Sequence, residues 1–463
     1  MKRIKIWTLL LFLLPGMLLC QEAVVPGKVV DSVPLGSSGF FSYYVPSQYH
    51  EEKAWPVIYV FDPAGRDSLA VETFRTAAER YGYIIVASDA IKNGSYQENY
   101  KNARELFNRV EERFALDTVN KFTAGFSGGA RLAIAIAGLS KDIKGVIASG
   151  AGAQNNTINL VRNNPFIFIG LCGDEDFNYI EMKLSGVIFD ELKYPNEIIW
   201  FEGQHQWPSA QVIEKAVRDL SVIMFSRSQQ KRTEEELMQM YAEQMAYNRQ
   251  LQQEGDLFWA YSDLEKMRDW YSIYNKDGEI KDEMRSIRRN KSYRAQRSDM
   301  SYIAEIEPLY LNEYVDFLIE DIAVGDLEAL GYWDQELKQF DNTFTQGKKE
   351  AYRKMSTRVK SMLAVIAEQA KKELVEPKNY DQLLFTNIFL TLLDPENEVA
   401  YLEAMRFAVA KGEYDIALYY TDKLLESGFS DMERLRSYPG ITLLRIQPDF
   451  GVLLEKYGFE SRF

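Results

Sequence analysis

"FTAGFSGGARLAIA", Phe122 to Ala135, sets Ser127 between Gly125 and Gly129 in the pattern G-x-S-x-G. The strand-like "NKFTA" leads into it and the helix-like "ARLAIAIAGL" leads away, so the serine falls at a strand-to-helix turn. A turn of that kind holds its side chain clear of the sheet, and only glycine-like neighbours tolerate the crowded backbone. The start of a helix also favours negative charge developing beside it. Ser127 therefore reads as a nucleophile, provided that a base and an orienting acid follow it in the chain.

A serine hydroxyl needs a base to take its proton, and the chain has only two histidines. His50 lies in "SQYHEEKAWP", a charged loop ahead of the central strands, and reads as a solvated surface residue. His205 lies in "FEGQHQWP", just past the last strand-like run, where a loop at the sheet edge would carry a base. Between serine and histidine, "FIFIGLCGDEDFNY" places Asp174, Glu175 and Asp176 directly beyond another strand-like run. Asp176 is the choice for the acid because Gly173 to Asp176 gives G-x-x-D, and Asp174 is the alternative.

The surroundings of these motifs are α/β. Short β-branched and aromatic runs at "FFSYYV", "WPVIYVFD", "YIIVASD", "NKFTAGF", "KGVIASG", "PFIFIGL" and "EIIWFEG" alternate with helical patterns such as "LAVETFRTAAERYG" and "SAQVIEKAVRDLSVIMF". That alternation predicts a mostly parallel sheet flanked by helices over 25–225. After about Ser226, at "SRSQQKR", glycine thins out and charged helices take over, predicting a mainly helical domain over 226–463. There, Thr233 and Glu236 suit a capping box, and Leu237, Tyr241 and Met245 share one helical face. Met355, Val359, Met362 and Ile366 form a second stripe, which reads as core. "AMRFAVAKGEYDIALYYTDKLLESG" resembles one tetratricopeptide repeat, with Gly412 at its turn and Ala417 at the packing position.

The order Ser127, Asp176, His205 resembles the α/β-hydrolase superfamily. The likeness spans about 25–225, and "GxHxWP", at Gly203, His205, Trp207 and Pro208, is similar to the compact esterases related to polyhydroxybutyrate depolymerases and feruloyl esterases. The resemblance implies a Ser-His-Asp triad and an acyl-enzyme intermediate. It implies an oxyanion hole of two backbone N–H groups, one at Gly128. The other is placed at Ala64 in "VFDPAGRD", with Gly65 behind it, although Asp62 stands where many lipases and esterases have histidine. No cofactor and no metal is expected. The absence of a long insertion at 150–165 or 176–197 predicts an open site, suited to an ester substrate that is polymeric, bulky or carbohydrate-linked. A serine peptidase on the same fold, or a scaffold whose helical half binds a protein partner, are the other readings.

The net charge of −14 and the lack of a long basic run argue against a nucleic-acid partner. Lys2, Arg3 and Lys5 before the apolar run Ile6 to Leu19 predict a signal peptide over 1–20 and an exported, periplasmic or extracellular protein. Cys20 leaves a lipid anchor open, although Leu19 stands where a small residue is usual. No later stretch reaches the roughly 20 apolar residues of a membrane-spanning helix. Cleavage after Cys20 would leave Cys172 as a single thiol, read as a small core residue.

Overall fold

The computed structural model describes residues 24–36, 39–226, 233–272 and 276–460. The expected signal peptide with Cys20, and all of the expected linker except Ser226, lie outside them.

The strand-like runs become β2 (Gly39–Tyr44), β3 (Trp55–Phe61), β4 (Ile84–Ser88), β5 (Leu116–Phe126), β6 (Ile143–Ser149), β7 (Ile167–Gly173) and β8 (Asn196–Phe201), with β1 (Val29–Leu35) ahead of them. They form one sheet in the order β1-β2-β4-β3-β5-β6-β7-β8. β2 runs antiparallel to β1 and to β4, and every later pairing is parallel. β1 escapes the periodicity reading because it is an edge strand. Asp31 and Ser32 are exposed, Ser32 has φ 57°, the register with β2 shifts there, and Pro34 gives up a donor.

β3, β4 and β7 are buried along their whole length because helices cover both faces. Helices α1 (Asp67–Tyr81), α2 (Tyr96–Arg113), α3 (Gly128–Leu139), α4 (Asn155–Val161), α5 (Tyr179–Glu191) and α6 (Ala210–Ser226) fill the connections. Alternate residues go to opposite faces: Ile58 and Val60 pack with α1 and α6, whereas Val57, Tyr59 and Phe61 pack with α2 and α3.

The rest of the described chain is helical: α7 (Glu234–Glu254), α8 (Leu257–Tyr271), α9 (Asp277–Arg289), α10 (Lys291–Val324), α11 (Ala329–Phe344) and α12 (Glu350–Glu373), then α13 (Tyr380–Leu393), α14 (Glu398–Lys411), α15 (Tyr414–Glu426), α16 (Met432–Ser437), α17 (Thr442–Arg445) and α18 (Pro448–Lys456). Thr233 and Glu236 cap α7 reciprocally, and Leu237, Tyr241 and Met245 are buried. Gly412 closes α14 with φ 80°, and Ala417 on α15 is fully buried.

The change in composition near Ser226 does not coincide with the change in core. Residues of α7 to α9, from Leu237 to Ile287, and Tyr293 of α10 belong to the same buried cluster as α1 and α6. A separate cluster begins at Ile303 and runs to Leu454. The seam between the cores therefore falls inside α10.

Candidate active site

Ser127 is the single residue between β5 and α3, and its backbone has φ 52° and ψ −119°. That left-handed conformation is strained for a residue with a side chain and is held by its neighbours. The Ser127 N–H donates to the Ser149 carbonyl at 2.8 Å. A Cβ on Gly125 would collide with the Gly129 backbone, and one on Gly129 with the Phe61 carbonyl, so both glycines are required by close approach.

The loops after β7 and β8 bring the other two residues to the serine. His205 Nε2 lies 2.9 Å from Ser127 Oγ, and His205 Nδ1 lies 2.9 Å from Asp176 Oδ2 and 3.0 Å from Oδ1. Asp176 is buried and accepts the Asn178 N–H at 2.8 Å, which fixes its carboxylate. The imidazole is held between two rings, with centroids 4.7 Å away at Phe126 and 4.3 Å away at Phe177. Of the competing acids, Asp174 turns away, its Oδ1 accepting the Gly203 N–H and its Oδ2 facing Lys354. His50 is exposed and stands beside Trp55.

The turn after β3 departs from expectation. The Ala64 N–H, expected as the second oxyanion donor, is taken up by Asp62 Oδ1 at 2.8 Å. The Gly65 N–H donates to the Asp62 carbonyl at 3.1 Å. Asp62 occupies the Ala64 N–H because its short carboxylate folds back on its own turn, and its backbone carbonyl takes the Gly65 N–H. The same carboxylate accepts Arg66 Nη2 at 2.8 Å and Trp207 Nε1 at 2.9 Å, tying the β3 turn to the histidine loop. Burial pushes the Asp62 pKa up, but the Arg66, Trp207 and backbone donors outweigh it and hold the carboxyl below its usual range. An aspartate where many esterases have histidine thus serves as a staple between two loops.

A cavity of about 560 Å³ opens above Ser127. Asn93, Arg131 and Glu181 line one side, and Met362, Val365 and Ile366 of α12 line the other. Glu181 is held by Arg131 at 2.9 Å and by the Gly152 N–H at 2.9 Å. The expected openness rested on the lack of a lid insertion within 25–225, whereas the wall comes from a helix more than 200 residues after Ser127 in sequence. The stripe read as core divides accordingly: Met355 and Val359 are fully buried, whereas Met362 and Ile366 are half-buried and face the cavity. Cys172 is buried in β7, and burial pushes its thiol pKa well up, so it stays a packed thiol.

The strand order, the antiparallel β2 and the serine turn between β5 and α3 decide the architecture. This is the α/β-hydrolase fold, followed by a helix-rich C-terminal part. No protein-family model matches the chain, and no curated protein does. Among solved structures, the chain is similar to the fluorophosphonate-binding serine hydrolase F of Staphylococcus aureus, at 13% identity over 42% of this chain and 99% of that one, with TM-score 0.36. It is similar to the S-formylglutathione hydrolase of Staphylococcus aureus, at 14% identity over 42% and 98%, with TM-score 0.37. A third is the feruloyl esterase module of Clostridium thermocellum, at 14% over 41% and 86%, with TM-score 0.34. No helix among the described residues is long and apolar enough to cross a membrane.

Proposed function

We propose that the chain is an exported serine hydrolase that cleaves carboxylic esters through Ser127, His205 and Asp176. One observation carries the reading: an unbroken relay from Ser127 Oγ through both imidazole nitrogens to a buried carboxylate, opening on a cavity. In this reading Ser127 Oγ attacks the acyl carbon while His205 Nε2 takes its proton. Asp176 orients the ring and stabilises the imidazolium. The oxyanion forms at the start of α3, where the Gly128 N–H is the assigned donor. The intermediate collapses with cleavage of the ester C–O bond, and His205 returns the proton to the leaving alcohol. Water then repeats the sequence on the acyl-enzyme, releasing the acid and restoring Ser127.

The catalytic part is assigned to 25–225 and the helical part to 226–463, with α12 of the latter closing one side of the cavity. Labelling with a fluorophosphonate probe tests the reading. Wild-type chain is expected to label and Ser127→Ala and His205→Ala are not, and Ser127→Ala is expected to lower ester turnover by roughly 10⁴-fold or more. Equal labelling of all three chains would overturn it.

A further inference from the structure

The acid loop and the histidine loop share an anchor that belongs to neither. Asp174 Oδ1 accepts the Gly203 N–H at 3.2 Å, and the Asp174 N–H donates to the Phe201 carbonyl at 2.9 Å, so Asp174 joins the end of β7 to the chain leading to His205. Its other carboxylate oxygen lies 2.7 Å from Lys354 Nζ on α12. One turn further along α12, Arg358 Nη1 donates to the Asp174 carbonyl at 2.6 Å. The rest of that guanidinium is fixed by a two-pronged bond to Glu307 of α10, with both distances 2.6 Å. Its face lies 4.1 Å from the Tyr179 ring centre, and the Tyr179 N–H donates to the Asp176 carbonyl at 2.9 Å.

Arg358 and Glu307 are almost wholly buried, at 4% and 1% side-chain exposure. A buried pair of this kind adds little net stability, because desolvation offsets the attraction. What it supplies is a fixed geometry: a planar fork that cannot rotate without breaking two charged bonds. That fork and Lys354 meet the chain two residues before Asp176.

We propose that Lys354 and Arg358 are positioning residues for the hydrolytic site, holding the Asp176 loop directly and the His205 loop through Asp174. The proposal rests on the Ser127, His205 and Asp176 reading above. The helical part then acts on the chemistry by fixing the aim of the relay, in addition to walling the cavity.

The test uses the full chain with p-nitrophenyl acetate, whose small acyl group makes little demand on the cavity wall. Lys354 is partly exposed, at 21% of its side chain, so Lys354→Met removes the contact without emptying the buried pair. It is expected to lower kcat about tenfold, as a loosened catalytic geometry does, with KM and the thermal midpoint unchanged. Lys354→Arg is expected to restore most of the loss. Asp174→Asn is expected to match Lys354→Met, and the double variant to be no worse than either, because each breaks the same Lys354–Asp174 ion pair. Wild-type kcat in Lys354→Met would overturn the proposal, as would a loss that follows a fallen midpoint and is not restored by arginine. A wild-type chain that fluorophosphonate leaves unlabelled would overturn the Ser127 reading itself, so the two failures are distinguishable.

Discussion

Two groups of charges, one wholly buried and one partly exposed, fasten helices to the sheet, at opposite ends of its parallel strands. At the start of β8, Lys215 of α6 reaches Glu197 at 2.8 Å, Asp219 at 2.6 Å and Asp263 of α8 at 3.0 Å, with Arg218 Nε 3.0 Å from Asp219. Beyond the end of β7, Arg358 and Lys354 of α12 hold Asp174. Both join the helical part to the α/β part with ions, wholly buried around Lys215 and partly exposed at Lys354 and Asp174. They differ in position, because in parallel sheets of this kind ligands bind outside the carboxyl ends of the strands. The first group lies at the other end and serves adhesion, while the second lies among the loops that carry Asp176 and His205. The same device therefore does different things according to which edge of the sheet it touches.

That contrast can be broken most directly at Lys215. Lys215→Met leaves Glu197, Asp219 and Asp263 without their shared cation, and chemical denaturation is expected to show a loss of about 3–5 kcal/mol. The folded fraction should keep wild-type kcat. If kcat per folded molecule fell as in Lys354→Met, the distinction between an adhesive and a positioning cluster would fail.

A smaller effect is expected on the cavity side of α12. Ile366→Trp narrows the space above Ser127 and should raise KM for long-chain acyl esters by roughly 1–3 kcal/mol in binding terms, leaving p-nitrophenyl acetate unaffected. Equal effects on short and long esters would place the residue outside the acyl path. It would also sharpen the division of α12 into an aiming end, at Lys354 and Arg358, and a walling end.

The smallest expected effect is a pH dependence of the first group. Burial is the main cause that pushes the Glu197 carboxyl from 4.5 up to about 8, reinforced by Asp219 and Asp263 and opposed by Lys215. The proton balances two cations, Lys215 and Arg218, against three carboxylates, Glu197, Asp219 and Asp263. A pKa raised on folding stabilises the folded state at low pH and loses that contribution as pH rises through the folded value. The thermal midpoint should therefore fall between about pH 5 and 8, and Glu197→Gln, which stays neutral, should flatten that fall. An unchanged slope in Glu197→Gln would assign the titration elsewhere.

The strands covered on both faces were legible because runs such as "VIYVF" and "FIFIG" are short, rich in β-branched and aromatic residues and bounded by glycine or proline, as buried parallel strands are. β1 was not, since an edge strand with Asp31, Ser32 and Pro34 lacks that signal. Ser127 and His205 could be singled out because G-x-S-x-G falls at a strand-to-helix turn and the chain has only two histidines, while Asp176 stood among three acids, and the fold brings the three within hydrogen-bonding distance. Ala64 failed as a donor because its N–H is captured by a side chain two residues earlier, a contact that no spacing rule exposes. Met362 and Ile366 show a further limit: apolar letters at helical spacing look the same whether they face a core or a cavity. Nothing in the sequence marks Lys354 and Arg358, and only the packing of α12 against the acid loop sets them on Asp174.

The seam inside α10 decides how the molecule could be trimmed. A chain ended after α6, at Ser226, would lose Leu237, Met240, Leu264, Met267 and Tyr271, which share a core with Val217 and Leu220 of α6. It would bare that apolar face to water and invite aggregation. A cut at the seam itself would sever a continuous helix between Tyr293 and Ile303, and would take Glu307, Arg358 and the far wall of the cavity with it. The hydrolase-like part of this chain is consequently not a portable module: grafting it elsewhere means carrying the helices along as far as α12.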